Sequence, residues 1–168
     1  GGDEVGTQHH TGYDETDFDL RADYRVAEDT TLTMAHQQVD QDDAWRTHRS
    51  VYGIDWEDLK AGDDKIHSFD QHRALTYLRL AAQEKPGLID AYTLTVSRHA
   101  QEEDLVRLRA DDTGDEQGFD VTTWGVAAEL QSESSLGRWV YGADFYRDNV
   151  DSYSRRYKAD GSLGKVAV

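Results

Sequence analysis

Residues 16–26 read TDFDLRADYRV, and apolar and charged side chains alternate along this stretch almost without exception. A period of two is typical of a β-strand with one apolar and one polar face. The apolar positions are Phe18, Leu20, Ala22, Tyr24 and Val26. The stretch predicts the strand, but it does not say whether the apolar face contacts a protein core or lipid.

The composition is poor in residues that could build a soluble core. Of the 168 residues, 37% are hydrophobic and 31% are charged, and the formal net charge is −16. A soluble domain usually contains about 45–50% apolar residues when glycine is counted. Aromatic residues in patterned segments argue against disorder, and the acidic excess argues against nucleic acid as a partner. Because there is no cysteine, disulfides and thiolate chemistry are excluded.

Five further segments share the period of two and are rich in Thr, Tyr and Val, which favour strands. The six predicted strands are 16–27, 31–41, 72–83, 90–101, 121–132 and 139–149. The sequence contains no run of about 18 apolar residues, so we expect no transmembrane helix.

The connections between these strands alternate between short and long. Short turns of the kind that join hairpin strands are predicted at 28–30, 84–89 and 133–138. Long, extracellular loops are predicted at 42–71, 102–120 and 150–168. Outer-membrane barrels show this asymmetry, with short periplasmic turns and long extracellular loops. The expected fold is therefore all-β, an antiparallel up-and-down transmembrane β-barrel segment.

The aromatic residues on the apolar faces fall at two levels. Tyr24, Tyr92 and Trp139 lie near the short turns, whereas Phe18, Trp124 and Phe145 lie towards the opposite ends. Two girdles at the membrane interfaces would give this distribution, although strands in general are rich in aromatics. The full predicted lipid-facing set is Phe18, Leu20, Ala22, Tyr24, Val26, Tyr92, Leu94, Val96, Trp124, Val126, Trp139, Tyr141 and Phe145. Since the smallest membrane barrels have about eight strands, six strands indicate part of a larger barrel.

Two stretches resemble the barrel of TonB-dependent outer-membrane receptors. They are LRADYRVAEDTTLTMAHQQVDQDDAWRTHRSVYG at 20–53 and WVYGADFYRDNVDSYSRRYKADG at 139–161. In that family, a strand ending in tyrosine, a short turn and a strand rich in Leu, Thr and Gln lead into an Arg-Thr-rich loop. The resemblance extends over roughly residues 13–162.

The resemblance implies a barrel of about 22 strands around a plug, of which residues 1–168 would be a fragment of the barrel domain. We expect the plug, the family's energy-coupling box and its last strand to lie outside these residues. The implied function is uptake of a scarce nutrient such as a ferric siderophore, cobalamin, haem or a glycan. The implied partners are outer-membrane lipid, the rest of the barrel and plug, a TonB-type energising protein and the small nutrient, in the bacterial outer membrane.

Acidic residues cluster in the predicted long loops. Asp111, Asp112, Asp115 and Glu116 supply four carboxylates within a short stretch, a pattern that could bind Ca²⁺. Their spacing does not match an EF-hand loop. Solvated loop charge is the simpler interpretation.

A second candidate site is the stretch WRTHRS at 45–50. Trp45, Arg46, His48 and Arg49 combine aromatic and cationic groups, which could bind an anionic ligand at the mouth of a receptor. The simpler interpretation is a cluster of ion pairs with the carboxylates of DQDD at 40–43. The adjacent His9 and His10 lack an evident third metal ligand.

The sequence shows no hydrolase, metalloprotease or phosphate-loop motif, so we expect no enzyme and no catalytic residue. The competing interpretation is a soluble acidic β-barrel or sandwich that binds small ligands or sugars, with or without Ca²⁺. Its core would need large residues on every apolar face, whereas several of these faces rely on Ala, Thr and Gly.

Overall fold

The computed structural model describes residues 9–53, 55, 60–83 and 87–167. These residues form one open, antiparallel sheet in which each of seven strands pairs with the next along the chain. The strands are β1 (Asp14–Ala27), β2 (Thr30–Trp45), β3 (Ile66–Ala82), β4 (Ala91–Leu108), β5 (Gly114–Ser134), β6 (Gly137–Tyr157) and β7 (Leu163–Ala167). The only helical element in the described ranges is one 3-10 turn, Thr47–Arg49.

The predicted all-β, antiparallel architecture is confirmed, and a strand covers each of the six predicted segments almost completely. Two of the predicted short turns are confirmed as well, between Ala27 and Thr30 and between Ser134 and Gly137. The third falls between β3 and β4, and its residues 84–86 lie outside the described part of the chain.

The prediction of long loops at 102–120 and 150–168 is wrong. β4 and β5 continue until only residues 109–113 separate them, and β6 continues to Tyr157 and is followed by a seventh strand. These extensions were missed because charged side chains occur on both of their faces, so no regular apolar period marks them. The backbone ladder continues regardless, since its hydrogen bonds do not depend on side-chain polarity. Among the connections between the described strands, the one from β2 to β3, residues 46–65, is the longest.

The register divides the sheet into two faces, because directly paired residues of neighbouring strands lie on the same face. One row crosses five strands through Met34, Leu78, Val96, Val126 and Phe145. The next row crosses them through Ala35, Tyr77, Ser97, Gly125 and Tyr146. The first row belongs to what we term the apolar face, and the second to the polar face.

Apart from the 46–65 connection at one end of the polar face, the described residues build no second layer on the sheet, so it has almost no core. The only buried hydrophobic residues among them are Ala35 and Ala82. The accessible surface is 12434 Å², whereas a compact monomer of 19.0 kDa exposes about 8,400 Å². The difference means that large hydrophobic surfaces lack the cover that a compact soluble protein would give them.

Candidate functional site

The predicted lipid-facing side chains lie together on the apolar face, apart from Val26, which falls in a β-bulge of β1. All of them are exposed except Tyr92, which is half-buried, and the exposed fraction is 44% at Leu94 and 69% at Tyr24. Residues that the prediction did not include join them on β2 and β3, namely Leu32, Met34, Leu78 and Leu80. We term this surface the apolar band; it extends from the short turns to Phe18 on β1 and to the row formed by Arg98, Trp124 and Arg147 on β4 to β6.

Aromatic side chains bound the apolar band along two parallel lines. A row of directly paired residues runs from Phe18 on β1 to Asn149 on β6. Phe145 lies four residues (149 − 145) from Asn149 along β6, towards the short turn that joins β5 to β6. The row that starts at Tyr24 reaches β6 at Ala143, and Trp139 again lies four residues (143 − 139) nearer the turn. Both lines are therefore inclined to the rows by the same amount and keep a constant separation.

Beyond the band, towards the 46–65 connection, the apolar face becomes strongly charged. One row there runs through Asp40, His72, Glu102, Asp120 and Asp151, on five neighbouring strands. His72 forms an ion pair with Asp40, and this hydrogen bond lowers the pKa of the Asp40 carboxyl. Like charges directly opposite one another are destabilising in a sheet, so this row needs water and counter-ions around it.

Tyr153 on β6 connects two strands within this charged region. The Tyr153 hydroxyl donates a hydrogen bond of 2.5 Å to the Asp104 carboxylate. Its ring covers Gly118, where an added Cβ would lie 2.5 Å from a ring carbon. The hydrogen bond to Asp104, assisted by burial, raises the pKa of Tyr153 to about 12. Glycine at 118 therefore leaves room for a ring that bridges β4 and β6.

The pKa of Tyr153 gives a first prediction. Because the folded pKa lies above the usual 10.0, the contact stabilises the sheet fully below pH 10, and this contribution is lost as the pH rises towards 12. Replacing Asp104 by Asn should lower the pH at which this phenol ionises. Ultraviolet titration of tyrosinate absorbance measures it, and the Tyr153→Phe variant identifies the late transition. A late transition that is unchanged by Asp104→Asn would contradict the contact.

The polar face is held by hydrogen bonds between neighbouring side chains. Thr33 donates to Asp23 at 2.5 Å, and Thr123 donates to Asp148 at 2.7 Å. Gln71 donates to Glu103 at 2.6 Å. These bonds link β1 to β2, β5 to β6 and β3 to β4, so the polar side chains of this face pair with one another across strands.

The described arms of the 46–65 connection, residues 46–53 and 60–65, lie at the end of the polar face. The two arms form a parallel bridge in which Val51 N–H donates to the Asp64 carbonyl at 2.9 Å. A Cβ on Gly62 would lie 2.0 Å from the carbonyl oxygen of Arg49, so only glycine allows this close approach. The connection is then tied to the sheet by Arg46 N–H, which donates to the His67 carbonyl at 2.8 Å.

A buried ionic cluster lies where this connection meets the sheet. Asp64 is 1% exposed, and Arg107 Nε donates to its Oδ2 at 2.8 Å. His67 Nδ1 lies 3.6 Å from the same oxygen. Burial lowers the pKa of His67, and the nearby Asp64 opposes this change. Asp64 Oδ1 and His67 Nδ1 are buried without a hydrogen-bond partner among the described residues, and no pattern in the sequence marks this cluster.

The predicted ligand-binding residues lie around this connection but do not converge on one point. Trp45 stacks on His10, with ring centroids 3.9 Å apart, and contacts Tyr52 edge-on. The Arg46 guanidinium lies 4.4 Å from the centroid of the Phe69 ring. Arg49 is exposed, and the side chain of His48 lies outside the described part of the chain. The ligand site stays a prediction, in which Arg46 and Arg49 supply exposed positive charge.

The predicted calcium ligands are spread over both faces. Asp111 accepts hydrogen bonds from Thr113, and Asp112 forms an ion pair of 2.5 Å with Lys65. Asp115 is 5% exposed on the polar face and forms an ion pair with Arg109. Glu116, on the opposite face, accepts a hydrogen bond of 2.8 Å from Tyr157. No group of three potential metal ligands occurs among the described residues, and calcium binding stays a prediction.

Comparison with known proteins adds no relative to this picture. No protein family, curated protein or solved structure matches the chain significantly. The described residues include no helix with the length and hydrophobicity that a membrane-spanning helix needs. The fold and surface define the class: an all-β protein with one open antiparallel sheet, an apolar band on one face and charged side chains on the other.

Proposed function

We propose that this chain is part of the barrel of an outer-membrane receptor that takes up a scarce nutrient with energy from a TonB-type protein. The observation that carries the proposal is the apolar band. It crosses six neighbouring strands, most of its large side chains are exposed, and no described residue covers it. Contact with lipid would stabilise such a surface, because its apolar side chains are then removed from water although no protein core covers them.

The dimensions of the band support a membrane. On β1 it occupies positions 18 to 24, and on β6 it extends from Trp139 to the Arg147 row. A strand crosses a bilayer with about 9–11 residues, a length similar to that of the band on β6. The longest strands have 21 residues, so a charged portion of each would project beyond the bilayer.

The two aromatic lines support strands that are tilted in the membrane. A shift of four residues is about 14 Å along a strand, and five steps between strands span about 24 Å. The lines are therefore inclined to the hydrogen-bonded rows by about 30°. Strands in outer-membrane barrels are tilted by about 35–45° from the barrel axis. A girdle that lies parallel to the membrane plane therefore crosses the rows of paired residues at a similar angle.

The polar face would line the interior of the barrel in this proposal. Its hydrogen-bonded charges suit a wet or plugged lumen, and the 46–65 connection would fold inwards at the outer mouth. Arg46 and Arg49 would then attract an anionic nutrient such as a ferric siderophore. The plug, the remaining strands and the energising protein are the other partners that the proposal requires.

The runner-up function is a soluble acidic protein that binds small ligands or sugars. The net charge of −16 is the observation that favours it, because such a charge keeps a protein soluble. This alternative needs a second layer of protein over the apolar band. The two functions therefore differ in what touches that band.

Spin labelling tests this difference. Because the chain has no cysteine of its own, a thiol-specific label attaches only at the introduced one. Val126→Cys and Ala127→Cys place labels on adjacent residues of opposite faces. In phosphatidylcholine vesicles, we expect oxygen to relax the label at 126 more than a water-soluble nickel complex does, and we expect the reverse at 127. A label at 126 that is as accessible to nickel as the label at 127, or a monodisperse chain in buffer without detergent, would overturn the membrane proposal.

Uptake by whole cells tests the transport part of the proposal. Cells that make the full-length protein are expected to accumulate a radiolabelled ferric siderophore or cobalamin only while the TonB-type protein is present. Uptake that is independent of the energising protein would reject this role and leave the question of lipid contact to the spin labels.

A further inference from the structure

Two arginines and a tryptophan form a row at the upper limit of the apolar band, which is the limit nearer to the 46–65 connection. Arg98, Trp124 and Arg147 are directly paired across β4, β5 and β6. Neighbouring strands lie about 4.8 Å apart, so the two arginines start about 10 Å from each other with the indole between them. A shallow depression is lined by these three residues together with Val96, Val126 and Phe145.

Both guanidinium groups lack an anionic partner in the part of the chain that the structure describes. Arg79 and Arg138 also form no ion pair among the described residues, so Arg98 and Arg147 are distinguished by their position beside Trp124 at the border of the apolar band. Arg155, on the same face, pairs with Glu116 at 3.6 Å. The register places neutral residues next to the two arginines on this face: Val96, Ala100, Thr122, Phe145 and Asn149.

We propose that Arg98, Trp124 and Arg147 bind the phosphate of an anionic lipid in the leaflet on the side of the 46–65 connection. This inference rests on the proposed membrane location of the apolar band. Val96, Val126 and Phe145 would contact the acyl chains below the phosphate. Arginine provides planar, charge-assisted donors for a phosphate group, and tryptophan prefers the interface between headgroups and acyl chains.

The acidic row two steps above this site limits where the phosphate can lie. Glu102, Asp120 and Asp151 are each four positions from a member of the arginine–tryptophan row, which is about 14 Å along the strands. They would repel an anion that is bound higher on the sheet. The phosphate therefore has one favourable level on these three strands, at the border between the apolar and the charged surface.

Quenching by brominated lipids tests the inference on the complete chain. Replacing Trp45, Trp56 and Trp139 by Phe leaves Trp124 as the only tryptophan. In phosphatidylcholine vesicles, brominated phosphatidylglycerol is expected to quench Trp124 more strongly than brominated phosphatidylcholine at equal mole fraction. The relative affinity for the anionic lipid should be about fivefold for each arginine, which corresponds to about 1 kcal/mol.

Paired variants identify the groups responsible. Arg98→Gln with Arg147→Gln should bring the ratio of the two affinities to one. Arg79→Gln with Arg138→Gln removes the same charge from the polar face and should leave the ratio unchanged. A ratio that stays high in the first variant would show that other groups bind the lipid, and a ratio that falls equally in both variants would show that only the overall charge matters. Either result would overturn the site.

The failures of the two proposals are distinguishable. Equal quenching by the two brominated lipids would reject the phosphate site and still support contact between the apolar band and lipid. No quenching by either lipid would reject the membrane location itself. In that case, a protein partner or a second copy of the chain would cover the band.

Discussion

Replacement of Val126 by arginine is expected to lower the free energy of unfolding in bilayers by about 1–3 kcal/mol. Val126 is 54% exposed and lies inside the apolar band, one row from Trp124, between Val96 and Phe145 on the neighbouring strands. A guanidinium at this depth must be taken from water into hydrocarbon, where it meets no carboxylate. Guanidinium titration of the vesicle-bound chain, followed by tryptophan fluorescence, measures the change.

Ala127→Arg is the matched control for this effect. Ala127 adjoins Val126 but lies on the polar face, where Asp144 is its directly paired neighbour on β6. The new charge would lie opposite a carboxylate, so we expect a change of no more than about 0.5 kcal/mol. Equal losses in the two variants would contradict lipid contact, because they would mean that both faces have the same surroundings.

The apolar half of each strand could be predicted from the sequence, whereas its polar half could not. Phe18 to Tyr24 alternate with charged residues, and from Trp139 to Phe145 aromatic or apolar residues recur at every second position, so both stretches predict strands. Residues 102–108 and 150–157 are also strand, but their charged side chains occupy both faces. On β3, Leu75 and Tyr77 compete with Leu78 and Leu80 for the apolar face. Only pairing with Leu94 and Val96 assigns the second pair to it.

The residues that come together across strands were the hardest to predict. Arg98, Trp124 and Arg147 are far apart in the chain, and a shift of one residue in any register would move one of them to the other face. Asp115 and Glu116 are adjacent in sequence, yet they lie on opposite faces, which separates two of the predicted calcium ligands. Single-sequence patterns carry the period of a strand but not its register, so sites made from several strands stay hidden.

Replacement of Arg107 by glutamine is expected to open the 46–65 connection. Asp64 is 1% exposed, and its Oδ2 accepts the 2.8 Å hydrogen bond from Arg107, while Oδ1 already lacks a partner among the described residues. Loss of the guanidinium leaves a buried charge without compensation, which costs about 3–5 kcal/mol. Hydrogen exchange of the Val51 and Asp64 amides reports this opening directly, because both amides bond across the connection.

The double variant Asp64→Asn with Arg107→Gln separates the lost charge pair from lost packing. Asparagine keeps the shape of Asp64 without its charge, so in the double variant the protection of the two amides should return to near its original level.

His67 adds a pH dependence to the original protein. Its pKa is lowered by burial, so the unfolded connection binds a proton more readily, and protection should fall as the pH drops below the usual 6.5. His67→Gln should remove this part of the pH dependence, whereas protection in the original protein that does not change with pH would contradict the burial of a neutral imidazole.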